Sequence, residues 1–116
     1  MVKAPAVLVV EDEYLLASAL EVVLKTAGAR VVGPAARVST ALELIASGEP
    51  LDCALLDIRL DGEPVFPVAE ALLARGVRFA FLTGYERTAL PPAYQAAPYL
   101  SKTADPARLV SWVMQT

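Results

Sequence analysis

Two short apolar runs, Ala6-Val7-Leu8-Val9-Val10 and Cys53-Ala54-Leu55-Leu56, constrain this chain most. Neither alternates polar with apolar residues, and each is too short for an ordinary helix. Such runs read as strands buried on both faces, which occur in parallel sheets covered by helices. Each run closes on carboxylate: Glu11-Asp12 after the first, Asp57 after the second. Carboxylates gathered at one sheet edge repel one another unless a cation sits among them. The pattern asks for a metal site, and for a carboxylate that can react.

The rest of the chain keeps the rhythm. Strands are expected at Ala6 to Glu11, Arg30 to Gly33, Asp52 to Asp57, Arg78 to Thr83 and Tyr99 to Ser101. Between the first two, Leu16, Ala19, Leu20, Val23 and Ala27 recur at helical spacing, and Gly28 supplies a stop. A second helix opens with Ser39 as N-cap, turns Leu42 and Ile45 inward and stops at Gly48. An Asp61-Gly62 turn leads to a third, from Val65 to Arg75, ended by Gly76. The last helix has Asp105 as N-cap and Pro106 at its first position, with Leu109, Trp112 and Val113 as packing face. Residues 85–98 break the rhythm. Pro91-Pro92 and Pro98 disfavour a helix there, and only Ala93 to Ala97 has room for about a turn, so the fourth helix is expected to be short or displaced.

This alternation argues for α/β architecture: one doubly wound, five-stranded parallel sheet with flanking helices, forming a single domain over 1–116. Ligands of such sheets bind outside the carboxyl ends of the strands. Glu11, Asp12, Asp57, Thr83 and Lys102 all fall at that edge.

Composition removes several alternatives. The chain has 116 residues, enough for a core without staples, and its hydrophobic content of 56% suits strands buried on both faces. No apolar stretch is long enough to span a membrane, and the N-terminus lacks a signal-peptide pattern. Net charge is −3 with no Lys/Arg-rich run, which argues against nucleic acid. The one cysteine, Cys53, reads as a small buried hydrophobe and fits a reducing cytoplasm. Histidine is absent, so the commonest general base and metal ligand are unavailable.

The remaining chemistry belongs to oxygen ligands and a lysine. Carboxylates at Glu11, Asp12 and Asp57 suit Mg²⁺, which takes a few carboxylates, keeps water and accepts phosphate oxygens. Thr83 offers a hydroxyl and Lys102 a point positive charge. Together they could seat an anionic group against Asp57, as phosphoryl transfer to a carboxylate nucleophile requires. Each residue alone has a plainer reading. Glu11-Asp12-Glu13 could be an acidic helix start, Asp57 a strand-end residue, Thr83 a strand former, Lys102 a solvated lysine and Tyr99 core packing. Tyr94 and Trp112 read as packing.

Four motifs in register, Val9-Val10-Glu11-Asp12-Glu13, Leu55-Leu56-Asp57, Leu82-Thr83-Gly84 and Leu100-Ser101-Lys102, resemble the receiver domain of two-component response regulators over nearly the whole chain. The resemblance implies a flavodoxin-like sheet of order 2-1-3-4-5 and a phosphorelay role, with a histidine kinase as donor. It implies Asp57 as phosphoacceptor. Mg²⁺ would be held by Asp12, Asp57 and the Arg59 backbone carbonyl, with Glu11 acting through water. Thr83 and Lys102 would bind phosphoryl oxygens, and Thr83 and Tyr99 would act as switch residues. Phe81-Leu82-Thr83-Gly84-Tyr85 further resembles the FAT GUY subfamily, with Leu82 where its signature has alanine. A second departure is Thr103, where receivers usually have proline after the lysine. A cis bond to a non-proline residue costs about 3 kcal/mol, so the Lys102–Thr103 peptide is expected to be trans.

The expectation is a cytoplasmic single-domain regulator, not an enzyme beyond its own phosphoryl transfer and autodephosphorylation. It would signal by contact with a downstream protein or pass phosphate to a phosphorelay partner, and the resemblance leaves a homodimer open. Three rivals are weaker. A pseudo-receiver that never takes phosphate is at odds with intact Asp57, Thr83 and Lys102. A haloacid dehalogenase-type phosphatase needs a second acid where Arg59 stands. A flavodoxin-like cofactor binder needs a phosphate loop after the first strand.

Overall fold

The computed structural model describes residues 4–84, 90–102 and 105–115. Strands β1 (Ala6–Val10), β2 (Arg30–Ala35), β3 (Cys53–Asp57), β6 (Arg78–Thr83) and β7 (Tyr99–Ser101) form one sheet. Every pairing is parallel, in the order β2-β1-β3-β6-β7. Two short strands, β4 (Arg59–Leu60) and β5 (Glu63–Pro64), make a separate antiparallel hairpin. With the hairpin set aside, the order is the expected 2-1-3-4-5. Helices α1 (Tyr14–Thr26), α2 (Val38–Ala46), α3 (Phe66–Ala74) and α4 (Pro106–Met114) cover the sheet.

Strand alternation divides the core in two. Leu8, Val10, Ala54, Leu56, Phe79 and Phe81 face α2 and α3. Val7, Val9, Cys53, Leu55, Ala80 and Leu82 face α1 and α4. Strands β1 and β3 are buried throughout, as their unbroken apolar runs require. Burial pushes the Cys53 thiol up to about 11, which leaves it inert as a nucleophile.

Several sequence expectations are corrected in detail. The inward face of α1 is Ala17, Leu20 and Leu24, with Ala19 exposed and Leu16 and Val23 only half-buried. Helix α1 packs on β1 and β2 and meets α4 along one side, so its apolar stripe is shared between core and groove. Ser39 does not cap α2. The helix starts two residues earlier than that cap implies, at buried Val38, with extended Arg37 before it. Ala41 and Ile45 point inward, and Leu42 is half-buried. Strand β2 runs past Gly33 to Ala35, through a cis Gly33–Pro34 peptide. Strands β6 and β7 match expectation to the residue, while the end of β1, the start of β3 and both ends of α3 differ by one residue.

The Asp61-Gly62 turn is the tip of the β4–β5 hairpin. Asp61 has φ +50° and Gly62 φ +83°, the two left-handed positions of a two-residue type I′ turn. Asp105 caps α4 as expected, its carboxylate accepting from the Ala107 N–H at 2.9 Å. Leu109 and Val113 are buried behind it, while half-buried Trp112 carries the Arg78 guanidinium over its ring at 4.2 Å. Across residues 90–98 the one helical element is a 3₁₀ turn at Pro92–Tyr94. Residues 85–89 lie outside the described residues. Among the described residues no helix is long and apolar enough to cross a membrane.

Candidate functional site

The carboxyl ends of β1, β3, β6 and β7 bring Glu11, Asp57, Thr83 and Lys102 to one edge. Glu11 continues β1 by one residue, its N–H donating to the Ala35 carbonyl at 2.9 Å. That bond depends on a bulge where the β1–β2 register shifts between Leu8 and Val10. Gly33 permits the bulge at φ +95°, where a Cβ would lie 2.8 Å from the Ala35 nitrogen and 3.0 Å from the Val9 carbonyl oxygen. The last β3 residue is Asp57, level with Leu82 of β6. Thr83 ends β6 level with Ser101 of β7. The Lys102 N–H then donates to the Thr83 carbonyl at 3.0 Å, extending the ladder to the lysine.

Among the described residues, Glu11, Asp57 and Thr83 are the buried polar ones, at 1, 8 and 5% exposure. The Lys102 ammonium reaches in to them, with Nζ 2.9 Å from Glu11 Oε1 and 3.1 Å from Asp57 Oδ2. Glu11 Oε2 accepts the Glu13 N–H at the start of α1, at 3.2 Å. Its Oε1 receives no hydrogen bond of good geometry, so the ammonium is its partner. Asp12 is exposed at the mouth and accepts the Asp61 N–H at 2.8 Å. One oxygen from each of Glu11, Asp12 and Asp57 lies within 4.8 Å of the others.

These contacts set the charges. Burial, then the Asp57 carboxylate, pushes Glu11 up to about 7 against the pull of Lys102. Asp12 is also partly desolvated, yet the Asp61 N–H and its carboxyl neighbours hold it below the ordinary range. Lys102 loses some hydration, but Glu11 and Asp57 keep it protonated above its usual value. Three acidic groups therefore face one lysine, an arrangement that a divalent cation would neutralise. Hard oxygen donors, one of them a buried oxygen short of hydrogen bonds, fit Mg²⁺. Arg59 forms the non-hydrogen-bonded pair of the hairpin with Pro64, next to the bond from the Val65 N–H to the Ile58 carbonyl, so its carbonyl points out of the ladder. Its side chain turns away to the Gly62 carbonyl at 3.2 Å.

Tyr99 is not in this cluster. It is 42% exposed and lines a groove between α1 and α4 with Leu16, Leu20, Leu100 and Trp112. The Lys102–Thr103 peptide lies outside the described residues. Two backbone groups that hold the acids in place, Asp61 N–H and Ala35 C=O, were not foreseen. The Asp-Gly pair marked the first as a turn but gave no sign of its partner.

The family model for the response regulator receiver domain matches residues 7–114. The chain belongs to that family. Solved receivers share the fold closely. SdrG from Sphingomonas melonis Fr1 is 35% identical, with a TM-score of 0.83 over 96% of this chain and 94% of that one. The BeF3-activated conformation of SdrG from Pseudomonas melonis Fr1 is 33% identical, with a TM-score of 0.81 over 99% of this chain and 100% of that one. The receiver domain of the PhyR response regulator from Erythrobacter litoralis is 28% identical, with a TM-score of 0.80 over 93% of this chain and 85% of that one. Nothing among the curated proteins matches. Membership makes two-component signalling the setting of this receiver, and its acidic cluster lies where receivers typically bind Mg²⁺.

Proposed function

We propose that this receiver is a single-domain response regulator of the FAT GUY type, phosphorylated on Asp57 by a histidine kinase. The observation that carries the reading is Asp57 itself. It is a buried strand-end carboxylate with a lysine ammonium at 3.1 Å and two further acids close by. A carboxylate oxygen of Asp57 would attack the phosphorus of a phosphohistidine. The new O–P bond forms as the N–P bond breaks, and the histidine nitrogen leaves with its electron pair and takes up a proton. Asp12, Asp57 and the Arg59 carbonyl would hold Mg²⁺ directly, and Glu11 would hold it through water. The ion would supply neutralising charge for the entering phosphoryl group.

Lys102 and Thr83 complete the site in this reading. Lys102 already spans Glu11 and Asp57, so it can pair with a phosphoryl oxygen by a short movement. Thr83, at the end of β6, would donate its hydroxyl to another. Catalysis would be limited to the chain's own phosphorylation and autodephosphorylation, and output would be contact with a protein partner. The BeF3-activated state named for an SdrG structure supports the expectation of a second conformation.

Incubation with acetyl phosphate and Mg²⁺, read by intact mass, tests this. One hydroxylamine-labile phosphoryl group should appear, and should vanish in Asp57→Asn or without Mg²⁺. No adduct from either acetyl phosphate or a histidine kinase would instead make the chain a pseudo-receiver that binds proteins without phosphate control.

A further inference from the structure

The ring of Tyr94 lies where two arms of the site meet. It stacks on Phe66 with centroids 5.1 Å apart and planes 13° apart. It also meets Phe81 edge-on at 5.7 Å and Phe79 at 6.4 Å. Phe66 and Phe81 touch each other at 6.0 Å, which closes the cluster. These rings belong to different parts of the chain. Phe81 is fully buried in β6, two residues before Thr83, and strand alternation puts both on the sheet face covered by α2 and α3. Phe66 is the first residue of α3, entered directly from the hairpin whose Asp61 N–H holds Asp12.

The segment carrying Tyr94 has a light hold on the core. Leu90 is its one buried residue, with Tyr94 and Ala97 partly buried against the same cluster. Gln95 Nε2 donates to the Leu90 carbonyl within the segment, and the Phe81 N–H donates to the Pro98 carbonyl at its far end at 3.0 Å. A segment held this way follows its few anchors when they move.

We propose that Tyr94 is a relay residue. Movement of Thr83 on phosphorylation passes through Phe81, movement of the hairpin passes through Phe66, and Tyr94 converts both into a new position of residues 90–98. That surface is then the face a downstream protein reads. The proposal rests on phosphorylation at Asp57. It gives Tyr94, rather than the groove-lining Tyr99, the task of reporting the site.

Amide NMR spectra with Mg²⁺, before and after acetyl phosphate, test it, with intact mass recorded on the same samples. Wild-type amides across 90–98 should shift on phosphorylation. Tyr94→Leu and Phe66→Leu should take up phosphate within about twofold of the wild-type rate, while those shifts shrink about threefold or more. Tyr94→Phe keeps the ring and should behave as wild type. Undiminished shifts in both leucine variants would overturn the relay. So would wild-type amides that stay still while Asp57 carries phosphate. A wild-type chain that takes up no phosphate defeats the functional reading first, and the relay with it.

Discussion

Ionising Glu11 should cost this fold stability, as a pH dependence that one substitution removes. The residue is 1% exposed and its carboxyl is pushed from 4.5 to about 7, by burial first and then by Asp57. The unfolded chain gives up this proton near the ordinary value, and the folded chain holds it until about pH 7. Between those limits the folded state binds more protons, so stability falls as pH rises. The contribution is complete below about pH 4.5 and gone above about pH 7. A gap of roughly 2.5 pKa units corresponds to about 3 kcal/mol. The assay is urea unfolding of wild type and Glu11→Gln in EDTA, in steps across that window. The stability of wild type relative to Glu11→Gln should drop by about 3 kcal/mol from the acid end to the neutral end. Saturating Mg²⁺ favours the ionised carboxylates and should flatten the drop. A difference constant within about 0.5 kcal/mol in EDTA would refute the account of a buried, reluctant acid.

Other substitutions probe how the edge is built. Gly33→Ala sets a Cβ 2.8 Å from the Ala35 nitrogen at a positive φ, so it should lose about 2 kcal/mol or more in urea unfolding. Leu72→Ala empties a fully buried position between α3 and the sheet and should cost about 3 kcal/mol with an unchanged urea m-value. Asp105→Ala removes the cap on the Ala107 N–H, costs about 1 kcal/mol and speeds exchange of that amide.

The sheet was legible because its strands carry strong, short signals. The runs before Glu11 and Asp57 have no polar interruption, and the Asp105-Pro106 pair marked the last helix to the residue. The four strand-end side chains were legible for the same reason: parallel strands deliver their ends to one edge. What was hidden depends on the partner. Leu16 and Val23 fit a helical stripe equally well whether they meet the core or a groove, and only packing of α4 decides. Ser39 is a good cap by type, but Val38 has core to bury, so the helix starts earlier. The Asp61 N–H reaches Asp12 across 49 positions of sequence, a distance no local pattern reports.

The lateral pairing of the sheet has a bearing on which length changes this receiver can absorb. Asp57 stands level with Leu82, and Thr83 stands level with Ser101. A residue inserted within β6 would carry Thr83 about 3.3 Å along the strand and turn its side chain to the opposite face. Nothing comparable follows an insertion at the solvent ends of the helices, near Gly48 or Gly76, where a Cβ would meet no atom within 4 Å. Relatives that diverge in length should therefore do so in those turns, while the spacing within each strand stays fixed to the residue.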